Sequence, residues 1–224
     1  LSQTARQPIV ILISGRGSNM RALIERSREP GAAYSVASVI SDRADAGGLE
    51  VARQQGIAAR ALPRPSGSER ADYDRLLAAA IDEYSPSLVV LAGFMRILTA
   101  EFVERFAGRI LNIHPSLLPK YAGLHTHRRV LEAREAEHGV TVHFVTEELD
   151  GGPPVLQARV PVLPGDTERT LSERVLIQEH LIYPVAVNWF CQGRLRCEAG
   201  KARLDGRVLD EPLQISDLPP EKRL

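Results

Sequence analysis

The sequence predicts an α/β protein with a mostly parallel, twisted sheet flanked by helices and an antiparallel strand in the C-terminal half. Three observations carry this reading. Runs such as Ile9-Val10-Ile11-Leu12-Ile13 and Leu88-Val89-Val90-Leu91 are apolar without alternation, as strands buried on both faces are. Between such runs lie stretches with helical spacing of apolar residues, and that alternation implies right-handed βαβ units. After residue 137 the alternation stops, because residues 140–145 and 155–162 read as two strands with no helix between them.

Residues 9–13 form the first strand. A Gly-containing loop, residues 14–18, leads to a helix from Asn19 that carries Met20, Leu23 and Ile24 on one face. A second strand (36–40), a helix (48–55) and a third strand (58–62) follow. A Pro-, Ser- and Gly-rich loop, 63–68, precedes a helix over 72–84, and strands at 88–91 and 110–113 flank another helix. Asp166 or Thr167 caps a long helix with Leu171, Val175 and Ile182. Pro184 is expected to kink or split that helix, since it lacks an N–H and crowds the preceding turn. With no repeat and no dividing linker, residues 1–212 read as one domain, and 213–224, rich in proline and charge, as a loosely held tail.

Composition narrows the function. A chain of 224 residues can bury a substantial core. Basic and acidic residues number 28 each, so no net field favours nucleic acid or an anionic membrane as a partner. No apolar run approaches the ~20 residues of a membrane span, and residues 8–13 are too short for a signal peptide. Cys191 and Cys197 are too few for a disulfide framework. A cytoplasmic protein with reduced thiols is expected.

In a parallel sheet the strand C-termini share one edge, and ligands bind there. Three segments should therefore converge: Ser14-Gly15-Arg16-Gly17-Ser18-Asn19, Gly93-Phe94-Met95-Arg96-Ile97-Leu98, and Asn112-Ile113-His114-Pro115-Ser116-Leu117-Leu118-Pro119. The first opens a helix, whose free N–H groups and dipole attract anions, and Gly15 and Gly17 permit close approach. It lacks the third glycine of a dinucleotide fingerprint and is no P-loop, so a phosphorylated small molecule fits better than NAD or ATP. Asn112 and His114, two residues apart on a strand, point to one side, and an amide with an imidazole can stabilise an oxyanion. Asp150 precedes two glycines and two prolines; pinned in a rigid turn, it would orient the ring if it meets His114. On these residues alone, an ordinary turn with a merely hydrogen-bonded His114, and a solvated acidic turn around Asp150, remain open. His125-x-His127 has no third ligand nearby, so a surface or helix-start role is expected and no metal.

These segments together resemble the folate-dependent formyltransferase family over about residues 8 to 207. One half of the signature is His114-x-Ser116-Leu117-Leu118-Pro119 with Gly123; the other is Gly139-x-Thr141-x-His143, continuing to Asp150-x-Gly152 and Gln157. The segments 14–19, 94–98, Gly123-Leu124-His125-Thr126-His127 and Gln178-Glu179-His180 match the purine branch. The C-terminal RNA-binding domain of the Met-tRNA branch and the N-terminal regulatory domain of the deformylases are not expected here. The resemblance implies a Rossmann-like formyltransferase fold. It implies 10-formyltetrahydrofolate as co-substrate, 5-phosphoribosylglycinamide as acceptor, no metal, and a monomer or homodimer. It assigns catalysis to Asn112, His114 and Asp150: the amide and the protonated ring donate to a tetrahedral oxyanion, and the carboxylate supports the ring. Gly17, Ser18 and Asn19 would hold the acceptor phosphate and Glu179 its ribose. Arg70, Met95, Arg96, Ile97, Leu98, Asn112, Thr146, Glu147, Glu148, Leu149 and Asp150 would line the folate site. Thr141 and His143 would surround Asp150 from behind.

Overall fold

The structure, a computed structural model, describes residues 5–219. Its frame is an eight-stranded sheet. In chain order the strands are β1 (Gln7–Ile13), β2 (Tyr34–Ser41), β3 (Ala58–Ala61), β4 (Leu88–Leu91), β5 (Ile110–His114), β6 (Glu137–Phe144), β7 (Pro154–Pro161) and, after a small three-stranded sheet, β11 (Leu213–Gln214). In space they run β11-β7-β6-β5-β4-β1-β2-β3. The pairings from β3 to β5 are parallel, and β6 is antiparallel to both β5 and β7. Since β11 pairs parallel with β7, β6 alone runs against the sheet. The expected fold class holds.

The lack of alternation in β1 has the expected cause. Ile9, Ile11 and Ile13 pack on one side with Leu23, Tyr183 and Trp189; Val10 and Leu12 pack on the other with Tyr73, Leu77 and Phe102. The first side is covered by α1 (Ser18–Ser27), α2 (Gly47–Gln54), α5 (Thr126–Glu132) and α6 (Glu168–Cys191), the second by α3 (Arg70–Asp82) and α4 (Ala100–Arg105).

Three expectations need correction. Pro184 does not split α6, which runs unbroken for 24 residues. The lost N–H costs one intrahelical bond, while packing on both sides of it, from Ile182 through Phe190, buries this stretch in the core. The Tyr183 hydroxyl also ties the helix to the sheet, 2.9 Å from the carbonyl oxygens of both Leu91 and Leu111. Secondly, the segment from 213 begins as a strand: Leu213 and Gln214 pair with Leu156 and Gln157, and Ile215 is buried. Residues 220–224 of the expected tail lie outside the described residues. Thirdly, α5 and the three-stranded sheet of β8 (Leu195–Glu198), β9 (Lys201–Leu204) and β10 (Arg207–Val208) are elements the apolar pattern did not signal. Seven and four or fewer residues are too short for a period to register.

Thr167 is the N-cap of α6, its hydroxyl accepting from Thr170 N and Thr170 returning the bond. Asp166 instead pairs with Arg174 at 2.7 Å, which holds its carboxyl well below the usual range.

Gly139 lies in β6 where a Cβ would collide with the Ala158 carbonyl of β7 and the Leu117 side chain. Gly139→Ala is expected to destabilise the fold by about 2–3 kcal/mol through overpacking. Urea unfolding measures it, and a midpoint equal to the parent's would contradict this packing.

Candidate active site

The reversed strand builds the centre of the site. In the β5–β6 register Asn112 faces His143 and His114 faces Thr141, so four side chains stand on one face of the sheet. His143 is buried, and its Nδ1 lies 2.9 Å from the Phe144 carbonyl, which can only accept. The proton therefore sits on Nδ1, and Nε2 accepts from Asn112 Nδ2 at 3.1 Å. Burial pushes the His143 pKa down to about 4, which keeps this ring a neutral acceptor near pH 7. The Asn112 amide is thereby oriented, one N–H spent on His143 and the other left over.

His114 is buried between two acceptors. Nε2 lies 3.0 Å from the Tyr121 carbonyl, and Nδ1 lies 3.4 Å from Asp150 Oδ2. The same Oδ2 accepts from Gly123 N at 2.9 Å. Asp150 Oδ1 comes within 3.7 Å of His143 Nε2, but that nitrogen carries a lone pair, so this is no ion pair. Asp150 adopts a left-handed backbone (φ 52°), a conformation aspartate tolerates better than most residues. Gly152 then presses back on the end of β6, where a Cβ would collide with the Phe144 carbonyl.

The structure rearranges several expected roles. In this state His114 has no free nitrogen for an oxyanion, because the Tyr121 carbonyl holds Nε2. Thr141 does not support Asp150. Its hydroxyl donates to Ser116 O at 2.6 Å and accepts from Leu118 N and Gln157 Nε2, which uses all of its bonding capacity. It clamps the turn after His114 instead. Asn19 is also committed: it is buried, and its Nδ2 donates to Glu179 Oε2 at 2.6 Å. Burial raises the Glu179 pKa despite that bond.

The loop before α1 has the form expected of an anion cradle. Gly17 is the N-cap with φ 73°, and the helix N–H groups of its first turn have no intrahelical acceptor. Beside it Gly48 N donates to Gly15 O at 3.0 Å, a close approach in which a Cβ at Gly48 would press on the Gly15 carbonyl and on the tip of the Ile13 side chain. Gly17 and Ser18 remain at the surface of this loop, half-buried.

A cleft of about 100 Å³ adjoins Asn112 and His143, lined by Phe94, Arg96, Ile97, Leu98 and the 146–150 loop. Its rim is unusually apolar for a surface: Ile97 is 55% exposed, Leu149 56% and nearby Met95 67%. Arg70 is not among the lining residues; it opens α3 and is exposed. Arg96 lines the cleft but is tethered, Nε to Asp42 Oδ2 at 2.7 Å. A larger groove of about 740 Å³ lies beside Gln7, Ser87 and Arg109, which precede strand interiors at the opposite edge. Volume alone would misplace the site; the convergence of polar groups decides it.

Sequence reasoning missed Tyr121 and Asp42. Asp42 follows β2 at the same sheet edge, so the strand-end rule could have flagged it; Tyr121 acts through its backbone, which no residue type signals. The His125-x-His127 pair is divided: His125 is exposed, and His127 Nδ1 lies 3.0 Å from His138 Nε2. Among the described residues no group of three or more His, Cys, Asp or Glu is placed to hold a metal ion. Nor is any helix long and apolar enough to cross a membrane.

The chain is similar to known proteins over most of its length. The pattern of the Formyl transferase family matches residues 7–187. The phosphoribosylglycinamide formyltransferase of Escherichia coli (strain K12) is 55% identical over 201 residues, covering 90% of this chain and 95% of that protein. That of Haemophilus influenzae is 47% identical over the same shares. The solved phosphoribosylglycinamide formyltransferase of Coxiella burnetii superposes with a TM-score of 0.88 at 47% identity, over 93% of this chain and all of that one.

Burial lowers the pKa of His127, and it lowers those of His138 and His143 to about 4. A histidine held neutral in the fold but free to protonate near 6.5 when unfolded stabilises fully above about pH 6.5 and loses that contribution as pH falls toward 4. Glu179, with a raised pKa, acts in the opposite direction. The urea midpoint is therefore expected to decline between pH 6.5 and 4.5, and His138→Gln should flatten part of that decline. Parallel curves for parent and variant would remove His138 from the account.

Proposed function

The chain belongs to the formyl transferase family, and we propose that it moves the formyl group of 10-formyltetrahydrofolate to the amine of 5-phosphoribosylglycinamide, in purine synthesis. The observation that carries this reading is the Asn112–His114–Asp150 cluster beside an apolar-rimmed cleft whose 94–98 wall is bonded to the root of the anion cradle. Gly17 and Ser18 bind the acceptor phosphate on the α1 N-terminus, and Asn19 fixes Glu179 where it faces the ribose. The pterin enters between residues 94–98 and 146–150. Residues 5–217, β11 included, act as a single formyltransferase domain, as monomer or homodimer, in the cytoplasm, with small-molecule partners and without metal or nucleic acid.

The acceptor amine attacks the formyl carbon, and its bond to folate nitrogen breaks as the tetrahedral intermediate collapses. The unspent N–H of Asn112 donates to the oxyanion. His114 donates through Nε2, exchanging the Tyr121 carbonyl for the charged oxygen. Asp150 holds the other ring nitrogen, so the ring keeps its orientation during that exchange. Protons leaving the amine pass to solvent or to the released folate nitrogen.

An assay with both substrates, then each alone, tests the assignment. Formylated product and tetrahydrofolate should appear together only with both; formate from the folate alone would indicate a hydrolase.

Asp150→Asn keeps the shape but removes the charge facing His114. Turnover is expected to fall by roughly two to three orders of magnitude while binding of both substrates changes little, as for a group acting on the transition state. His114→Ala should be comparably damaging, and the double variant should lose far less than the sum. Additive losses in stopped-flow single turnovers would refute their action as one unit.

A further inference from the structure

The 94–98 wall of the cleft is held by packing only at its ends, where Phe94 is buried and Leu98 rests on the same core; Met95 and Ile97 between them are largely exposed. What ties the exposed middle of the wall is one buried carboxylate at the end of another strand. Asp42, 6% exposed just beyond β2, accepts from Ser14 Oγ through Oδ1 at 2.6 Å and from Arg96 Nε through Oδ2 at 2.7 Å. Ser14 Oγ in turn accepts from Met95 N at 2.9 Å, and Ser14 N donates to Gly93 O at 3.1 Å. The Arg96 guanidinium lies over the Tyr73 ring, 4.9 Å from its centroid. Every bond in this chain joins segments that are distant in sequence: the end of β1, the end of β2 and the loop after β4. Ser14 is also the residue from which the 15–17 anion loop departs.

We propose that Asp42 is a positioning residue for the folate side of the reaction: its carboxylate locks residues 93–98 to the root of the anion loop and so sets the width of the cleft between the two substrates. It touches neither substrate. A charged acceptor is required because one partner is a guanidinium, and charge-assisted bonds of this kind are about twice as strong as neutral ones. Asn at this position could still accept from Ser14, but its NH₂ would face the Arg96 N–H, donor against donor. The wall would therefore be released while the anion loop kept its anchor. The identity of the ligand rests on the formyl-transfer reading; the tether itself does not.

The test uses Asp42→Asn and, should that variant fold poorly, Ser14→Ala, which frees Met95 N from the same chain and, because it also removes the anchor of the anion loop, is read only on folate binding and on exchange at Met95. Equilibrium binding of 5-formyltetrahydrofolate should weaken roughly tenfold or more, the loss expected of one charge-assisted bond. Binding of 5-phosphoribosylglycinamide should stay within about twofold, so KM for folate rises far more than kcat falls. In the ligand-free protein, hydrogen exchange at the Met95 and Arg96 amides should quicken while β1 and β4 keep their protection. A role in overall stability alone would instead loosen β1 and β4 together. The proposal is overturned by unchanged exchange at Met95, by loss of protection throughout the sheet, or by equal weakening of both ligands. If the parent protein binds no folate yet Asp42→Asn still frees residues 93–98, the tether stands and the assigned function fails.

Discussion

The antiparallel pairing of β6 against β5 is the constraint on which the rest of the site depends. In a wholly parallel sheet the strand beside β5 would run the same way and end with its own loop at the shared edge. With β6 reversed, its residues reach that edge early and its closing loop returns across the face from behind. Asn112 thus meets His143 side by side, His114 meets Thr141, and the 146–150 loop brings Asp150 back to both histidines. Two glycines make the geometry possible. Gly139 lets β6 approach β7 and the Leu117 turn, and Gly152 lets the returning loop lie on the Phe144 carbonyl. Neither is there for flexibility in solution; each marks a place where a side chain would occupy space already taken by backbone.

Burial gives the histidines different tasks. His143 is so enclosed that charge is disfavoured, and its proton is fixed on Nδ1 by a carbonyl. It can act only as an acceptor, and by doing so it sets which way the Asn112 amide points. The His127–His138 pair is similarly neutral and joins α5 to β6. His114 differs in its partners: a carboxylate flanks one ring nitrogen and a backbone carbonyl the other.

Much of this was legible in the sequence because periodicity reports burial. The doubly buried β1 and β4, the helix at Thr167 and the loss of alternation after residue 137 all follow from which faces meet the core. Convergence of the 14–19, 93–98 and 112–119 segments followed from the strand-end rule, and the structure brings them to one edge. Side-chain partnerships were less legible. Thr141 is bound to a turn and Asn19 to Glu179, since a buried hydroxyl or amide takes whichever partner the fold places within 3 Å. Arg70 is separated from the cleft, since it sits at the exposed start of α3. Tyr121 was invisible for a different reason: its contribution is a carbonyl, common to every residue.

Under the proposed function, the resting bond between His114 and that carbonyl bears directly on catalysis. If Nε2 pointed unpaired into the cleft, it would bind the neutral formyl oxygen of the substrate almost as readily as the oxyanion, which lowers KM without raising kcat. Held by the Tyr121 carbonyl, it gains little by moving to another neutral oxygen, because one bond of similar strength is exchanged for another. Moving to a developing oxyanion is a different exchange, from a neutral acceptor to a charged one, and bonds to charged acceptors are roughly twice as strong. The competing carbonyl therefore filters the interaction, making it worthwhile chiefly as charge accumulates. In the same proposal Asp150 holds the ring through its other nitrogen, which limits the orientations the ring can take during the exchange.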